Sequence, residues 1–88
     1  MYKYLAEFLG TLFFMYVIIA TGNPLAIGAA LALVLLMTAN ISGGHINPAV
    51  TIAMAAANKL DVNEIIPYIL SQTFGALVAI QIYIRFKL

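Results

Sequence analysis

The sequence predicts an all-α integral membrane fold with three transmembrane helices and one short helix that enters the bilayer without crossing it. Of the 88 residues, 65% are hydrophobic and only 8% are charged, and the mean hydropathy is +1.07. This leaves too little polar surface for a soluble domain of the same size. Three long apolar stretches alternate with turn residues. We therefore expect residues 1–88 to form a single, multi-pass membrane unit.

The first span is predicted from about residue 4 to residue 20. It is interrupted only by Glu7 and Thr11, and it stops at the strong breakers of Thr21-Gly22-Asn23-Pro24. Lys3 before an apolar run would suit a cleaved signal peptide, but no small-x-small cleavage site comes after it and the run reaches spanning length. We interpret it as a retained helix.

The second span is predicted from about residue 25 to residue 41, rich in Ala and Gly as in closely packed membrane helices. After a Ser-Gly-Gly turn, Asn47-Pro48 predicts a helix start, since Asn is a favoured N-cap and Pro has no N–H to lose at the first position. A helix from there to about Asn58 covers roughly 17 Å of a roughly 30 Å hydrocarbon core. Residues 42–58 are thus a predicted pore loop and half-helix.

The third span is predicted from about residue 65 to residue 86. The polar run before it, residues 58–64, is the best candidate for an aqueous loop, and Asp61 or Asn63 is expected to cap the start of this span. Pro67 lies in the first turn, where proline is tolerated, and Arg85 and Lys87 place the other end at the headgroups.

Composition excludes several classes of function. The chain has no cysteine, so disulfides and thiolate metal sites are ruled out, and a net charge of +1 indicates no nucleic-acid partner. One histidine and no clustered acids provide no nucleophile and base pair. We expect neither an enzyme nor a bound metal or cofactor.

The segment from Gly43 to Ile46 is the candidate site, because non-helical backbone at membrane depth survives only beside protein or in a wet cavity. Extended carbonyls there would accept hydrogen bonds, while the Asn47 amide at the positive end of the half-helix would donate them. Such a surface suits a small neutral solute. The alternative is an interfacial amphipathic helix behind a flexible glycine turn.

Three blocks of the sequence resemble the aquaporin and aquaglyceroporin family, the major intrinsic proteins, over nearly the whole chain. Ala-Glu-Phe-Leu-Gly-Thr at residues 6–11 resembles the start of the family's first helix. Ser-Gly-Gly-His-Ile-Asn-Pro-Ala-Val-Thr at residues 42–51 resembles its first pore loop, and Pro-Tyr-Ile-Leu-Ser-Gln at residues 67–72, followed by Gly75-Ala76, resembles its third helix. The resemblance implies one half of the aquaporin inverted repeat.

A typical member of that family holds two such units of opposite orientation, and this chain has one. The resemblance therefore implies a passive channel for water or small uncharged solutes such as glycerol, built in the lipid bilayer from two antiparallel copies. Because the family commonly assembles as tetramers of pores, a tetramer of dimers is conceivable. Lys3 and Lys59 fall on one side of the predicted membrane and Arg85 and Lys87 on the other, a balance that permits insertion in both orientations.

The resemblance also assigns roles to residues. Glu7 would brace the pore loop by hydrogen bonds, the alternative being that it snorkels to the interface. His45 would contribute a backbone carbonyl and structural hydrogen bonds rather than proton chemistry, and Gln72 would serve helix packing. The expected permeation path consists of Gly43, Gly44, His45, Asn47, Pro48 and Ala49.

The selectivity constriction departs from the family pattern. The family's second loop usually has Arg after Asn-Pro-Ala, whereas this chain has Val50. In a symmetric dimer the constriction would combine Ile27 of one copy with Leu35, Gly44 and Val50 of the other. This apolar set either admits water and small polyols or gates by dewetting.

Two other classes remain open on sequence grounds. One is a non-conducting fragment or accessory subunit that pairs with a longer relative. The other is a small dual-topology exporter, which would couple transport through a buried carboxylate facing the lumen, with Glu7 as the one candidate.

Overall fold

The computed structural model describes residues 2–86, which form helices and connecting loops without a β-strand. Lys87, which the sequence places at the headgroups, lies outside the described residues. The elements in chain order are α1 (Tyr2–Thr21), α2 (Pro24–Thr38), α3 (Pro48–Ala56), a 3-10 turn (Val62–Glu64) and α4 (Ile65–Phe86).

Within residues 2–86, two segments are long and apolar enough to cross a bilayer. They are Tyr2–Thr21, with 20 residues, and Val62–Phe86, with 25. The helix α2 is also apolar, but it has only 15 residues. Its length is therefore about 22 Å, less than the roughly 30 Å of the hydrocarbon core.

A tight turn joins α1 to α2. Gly22 adopts φ +56°, and its N–H donates to the Ile18 carbonyl at 3.0 Å, the left-handed ending that favours glycine. The Asn23 side chain then accepts from the N–H groups of Leu25 and Ala26. This cap starts α2 at Pro24, close to the predicted start at residue 25.

The end of α2 differs from the sequence prediction. We expected helix to about Ile41, whereas the regular helix ends at Thr38 and residues 39–42 form turns. The N–H groups of Ile41 and Ser42 both donate to the Thr38 carbonyl, each at 2.9 Å. The Thr38 hydroxyl also bonds to the carbonyl of Val34. A shared acceptor tightens the last turn, which sequence hydropathy does not reveal.

Helices α1 and α4 form the main packing interface and run parallel. Along α1, Tyr4 packs on Tyr68, the backbone of Phe8 to Leu12 packs on Gly75, and Tyr16 packs on Tyr83. Residue numbers thus rise together along both helices. Helix α2 packs on α1, and α3 packs on α4.

Small residues suit close helix crossings in membranes, but the small residues of this chain differ in their surroundings. Gly10, Ala30 and Gly75 are buried, and a Cβ at Gly10 would come within 2.9 Å of Val34 and 2.7 Å of Ile46. Gly28, by contrast, is exposed, and a Cβ there would meet nothing within 4 Å. Within this chain, position 28 is not a crossing point.

The half-helix α3 occupies only the half of the bundle in which α1 and α4 begin. Its nine residues cover about 13 Å, ending at Ala56 rather than at the predicted Asn58, which instead adopts φ +61°. Asp61, rather than Asn63, caps the following 3-10 turn. The chain thereby returns from the end of α3 to the start of α4, so these two helices run antiparallel.

Candidate functional site

The loop before α3 has a left-handed backbone rather than the extended one expected from the sequence. Gly43, Gly44 and Ile46 have φ of +89°, +64° and +61°. A Cβ on Gly44 would lie 3.1 Å from Leu35 and 3.2 Å from the Thr38 hydroxyl, so glycine is required there for space as well as for φ. Ile46 is β-branched, and φ above zero is a strained state for such a residue. Its burial, at 4% exposure, helps to hold it in place.

Glu7 lies at the centre of this loop and is completely buried. One carboxylate oxygen accepts from the Ser42 hydroxyl at 2.6 Å and the His45 N–H at 3.0 Å. The other accepts from the Ile46 N–H and the Gln72 amide, each at 2.8 Å. Four donors match the acceptor capacity of a carboxylate. The group therefore does not extend to the membrane surface, and it joins the loop to α1 and α4.

Thr51 extends the same network into the half-helix. Its hydroxyl lies 2.9 Å from His45 Nδ1 and accepts from the Gln72 amide at 2.9 Å. The His45 ring, 7% exposed, also lies 4.9 Å from the Tyr68 ring, and the Tyr68 hydroxyl donates to the Ser42 carbonyl at 2.8 Å. The imidazole is thus part of the interior.

The hydrogen bonding of the loop is one-sided. Its N–H groups point inward: Gly43 donates to the Ala39 carbonyl, Gly44 to the Ser42 hydroxyl, and the next two residues to Glu7. The carbonyl oxygens of Gly43, Gly44 and His45, by contrast, accept no hydrogen bond from residues 2–86. Backbone acceptors are thus left available while every donor is used.

Asn47, Pro48 and Ala49 lie exposed at the start of α3. Asn47 is the N-cap, and its side-chain oxygen accepts from the Ala49 N–H at 2.7 Å. Because the cap occupies the oxygen, the amide nitrogen presents its two N–H groups next to the positive end of the half-helix.

The residues predicted to form a constriction are partly brought together. Leu35 lies beside Gly44, while Val50 is half-buried on α3. Ile27 is eight residues before Leu35 on the same helix, about 12 Å away along the axis. Their meeting as a constriction requires a second chain and stays a prediction.

Sequence reasoning missed the roles of Thr51, Tyr68 and Ser42, and it assigned Gln72 to helix packing alone. One signal was available, because Tyr68 and Gln72 are four residues apart and share a face of an otherwise apolar helix. Two polar side chains on one face of a membrane span indicate a shared polar contact. Nothing in the sequence identifies Glu7 and the loop as the partners of these two side chains.

We expect Tyr68→Phe to lower the free energy of unfolding by about 1 kcal/mol, because it removes the hydroxyl that holds the Ser42 carbonyl. Tyr16→Phe is the matched control, since the Tyr16 hydroxyl is buried without a partner among the described residues. Denaturant unfolding in detergent would compare the two variants. Equal losses would contradict the importance of the Ser42 contact.

The chain also has an ion pair at the end of the bundle where α1 and α4 begin. Lys3 Nζ lies 3.0 Å from Glu64, and the Tyr4 hydroxyl donates to the same carboxylate. These groups are partly exposed, so the pair contributes little to stability. It holds the start of α1 to the start of α4.

Comparison with known proteins identifies the family. The family model described as Major intrinsic protein matches residues 1–87. The chain is 48% identical over 88 residues to glycerol uptake facilitator protein-like 6 of Lactiplantibacillus plantarum, covering 90% of this chain and 41% of that protein. It is 37% identical over 92 residues to aquaporin Z of Rhodopseudomonas palustris, covering 88% and 38%. It is 35% identical over 97 residues to the probable aquaporin PIP2-6 of Oryza sativa, covering 89% and 34%.

The chain therefore spans only 34 to 41% of the length of these relatives. No solved structure matches it. The family match extends over all three blocks that the sequence suggested, and two segments within residues 2–86 are apolar and long enough to span a bilayer. The chain belongs to the major intrinsic protein family of integral membrane proteins.

Proposed function

We propose that this chain forms half of a passive channel for water or a small uncharged solute such as glycerol, and that a second, antiparallel copy completes the pore. The observation that carries the proposal is the one-sided loop, in which the N–H groups are satisfied internally and three successive carbonyls accept no hydrogen bond from the described part of the chain. The names of the relatives, glycerol uptake facilitator and aquaporin, support the same class of permeant.

A permeating water or hydroxyl group would donate to the carbonyls of Gly43, Gly44 and His45 and accept from the Asn47 amide. Free carbonyls alone would also suit a cation. The positive end of the α3 dipole and the amide donors at Asn47 oppose a cation at that point, and a second half-helix pointing at the first would double this effect. The arrangement therefore favours a neutral solute that both donates and accepts.

The directions of the helices support the proposed three-span topology. Because α1 and α4 run parallel, the chain between them must return across the membrane. Helix α3 covers only about 13 Å, which is too short for a crossing, and its end leads to the start of α4. The return crossing is therefore assigned to α2, whose 15 residues are extended by the hydrogen-bonded turns of residues 39–42.

The alternatives receive different support. A partner role beside a longer relative fits a chain that spans 34 to 41% of those proteins, and crosslinking separates it from self-pairing. An exporter that uses Glu7 would need that carboxylate to face the lumen, whereas it is fully buried by the chain's own donors. A tetramer of such dimers is proposed by resemblance alone.

The test is the osmotic shrinkage rate of liposomes that contain only this chain. We expect shrinkage well above that of empty vesicles, and we expect Asn47→Asp to slow it, because aspartate preserves the cap to Ala49 while replacing the amide donors with an anion. Asn58→Asp, the same change at an exposed position outside the loop, should leave the rate unaltered. Background shrinkage from folded protein would overturn the self-assembled water channel.

A further inference from the structure

An apolar groove of about 430 Å³ runs along the second half of α1 and the end of α4. Every atom that it exposes is apolar. The side chains that border it are Leu12, Phe13 and Tyr16 of α1 and Ile82 and Phe86 of α4.

This groove faces away from the half-helix. The α1 residues that lie beside Asn47 are Thr11, Phe14, Met15 and Ile18. At 3.6 residues per turn, they lie about 140° around α1 from the residues that border the groove. The groove is therefore separate from the proposed pore, and it faces the surroundings of the bundle.

The groove has the length of one leaflet. Leu12 lies nine residues before Thr21, the last residue of α1, which corresponds to about 14 Å. Half of a roughly 30 Å hydrocarbon core is about 15 Å. One extended acyl chain of a lipid therefore matches the groove from the middle of the bilayer to the headgroups.

A cation lies at the headgroup end of the groove. Arg85 is exposed in the last turn of α4, and it follows Ile82 by three residues, so the two side chains share a side of the helix. The guanidinium Nη1 donates to the carbonyl and the side-chain oxygen of Gln81. Both acceptors are neutral, and the other N–H groups of the guanidinium have no acceptor within residues 2–86.

No acidic side chain of residues 2–86 neutralises Arg85. The three acidic residues of the chain are Glu7, Asp61 and Glu64. Glu7 is buried in the loop network, and the other two precede α4, whose start lies about 30 Å from Arg85. That separation is about three Debye lengths in 0.1 M salt. The positive charge at this end of the bundle is therefore available to an external anion.

We propose that the groove binds one anionic glycerophospholipid, whose acyl chain lies against Leu12, Tyr16 and Ile82 and whose phosphate accepts from Arg85. A planar guanidinium donates two parallel N–H bonds to a phosphate. The groove and Arg85 are independent features, and a phospholipid satisfies both, because its hydrocarbon fills the apolar walls while its charge stays at the headgroups. Free phosphate would use Arg85 alone and leave the groove empty.

Fluorescence quenching tests the site, since the sequence has no tryptophan and one introduced indole reports on one place. Phe13→Trp puts the probe in the groove, and Phe74→Trp is the matched control. Both phenylalanines are partly exposed, 43% and 57%, and each lies about 12–14 Å from the nearer end of its helix. Phe74 does not border this groove. The quenchers are phosphatidylglycerol and phosphatidylcholine with brominated acyl chains, each mixed into vesicles that contain the chain.

We expect the Phe13→Trp probe to show about a fivefold higher association constant for phosphatidylglycerol than for phosphatidylcholine, and the Phe74→Trp probe to show no preference. Adding Arg85→Gln should remove the preference at the groove, and raising the salt concentration should weaken it. Lys59→Gln removes the same charge from an exposed residue at the opposite end of the bundle and should leave the preference unchanged.

Three results would overturn the lipid site. Equal quenching by the two lipids at Phe13→Trp would indicate ordinary contact with the bilayer. Weak quenching by both would indicate that another copy of the chain covers the groove. A preference that survives Arg85→Gln would place the anion elsewhere. The measurement requires neither flux nor a closed pore, so its outcome is independent of the proposed channel.

Discussion

Replacing Glu7 with leucine is expected to abolish the folded state of the chain. The change leaves four buried donors without an acceptor: the Ser42 hydroxyl, the N–H groups of His45 and Ile46, and the Gln72 amide. Each unsatisfied group costs about 1–3 kcal/mol, which together approaches the whole stability of a typical domain of about 5–15 kcal/mol. Helical circular dichroism and a denaturant titration in micelles would measure the loss.

Glu7→Gln keeps the shape and gives a graded version of the same test. One acceptor oxygen remains, but the new amide nitrogen faces groups that are themselves donors. We expect a folded chain with reduced stability and a displaced loop. The control is Glu64→Gln, whose partly exposed contacts with Lys3 and Tyr4 contribute little to stability. If both glutamine variants unfolded alike, Glu7 would not have the central role that its contacts indicate.

The same variant also tests the exporter alternative. If Glu7 holds the loop of a passive channel, Glu7→Gln should reduce the solute flux because the loop is displaced. This reduction should be the same with and without a proton gradient. A folded Glu7→Gln protein that lost proton-coupled transport would favour the exporter.

The second large effect on stability is expected at Gly75, where the backbone of α1 packs directly on α4. A Cβ there would lie within 3.0 Å of the Phe8 carbonyl oxygen and 3.2 Å from the Leu12 nitrogen. Both are backbone atoms, so no side-chain rotation relieves the clash and the helices must separate. We expect Gly75→Ala to lower the free energy of unfolding by about 3 kcal/mol, and Gly75→Leu to disrupt α1 and α4 packing and hence assembly.

Gly28→Ala is the matched control for this prediction. Gly28 is also within a helix, but a Cβ there would meet nothing within 4 Å. Alanine is the better helix former, so the variant should be neutral or more stable by up to about 1 kcal/mol. Unfolding titrations should therefore show a lower free energy of unfolding for Gly75→Ala and an equal or higher one for Gly28→Ala. A Gly75→Leu protein with normal dimers and normal flux would contradict the packing described for α1 and α4.

Much of the fold is encoded in local signals of the sequence. Gly22 and Asn23-Pro24 end one helix and begin the next within three residues, and Asn47-Pro48 begins the half-helix. The prediction was poorest at the end of α2, where apolar residues continue to Ile41 but the regular helix stops at Thr38. Hydropathy does not change at that point, and the stop depends on how the Thr38 carbonyl is shared.

The candidate site was predicted only in part. The sequence motif and its family resemblance identified the loop, Asn47 and Glu7. They did not predict that Tyr68 and Thr51 would join the network, since these contacts link residues 26 and 21 positions apart. The prediction of an extended loop was wrong, because Gly43, Gly44 and Ile46 have positive φ and the N–H groups of the loop turn inward, two of them to Glu7.

By itself, the sequence determined the membrane class, the order of the helices and the place of the half-helix, because caps, breakers and hydropathy act within a few residues. Only the tertiary structure decided that α1 and α4 run parallel and that Glu7 satisfies the loop from 35 to 39 residues away. The physical reason is that hydrogen-bond partners and packing surfaces distant in sequence depend on how whole helices are placed. No local sequence pattern determines how the helices are placed.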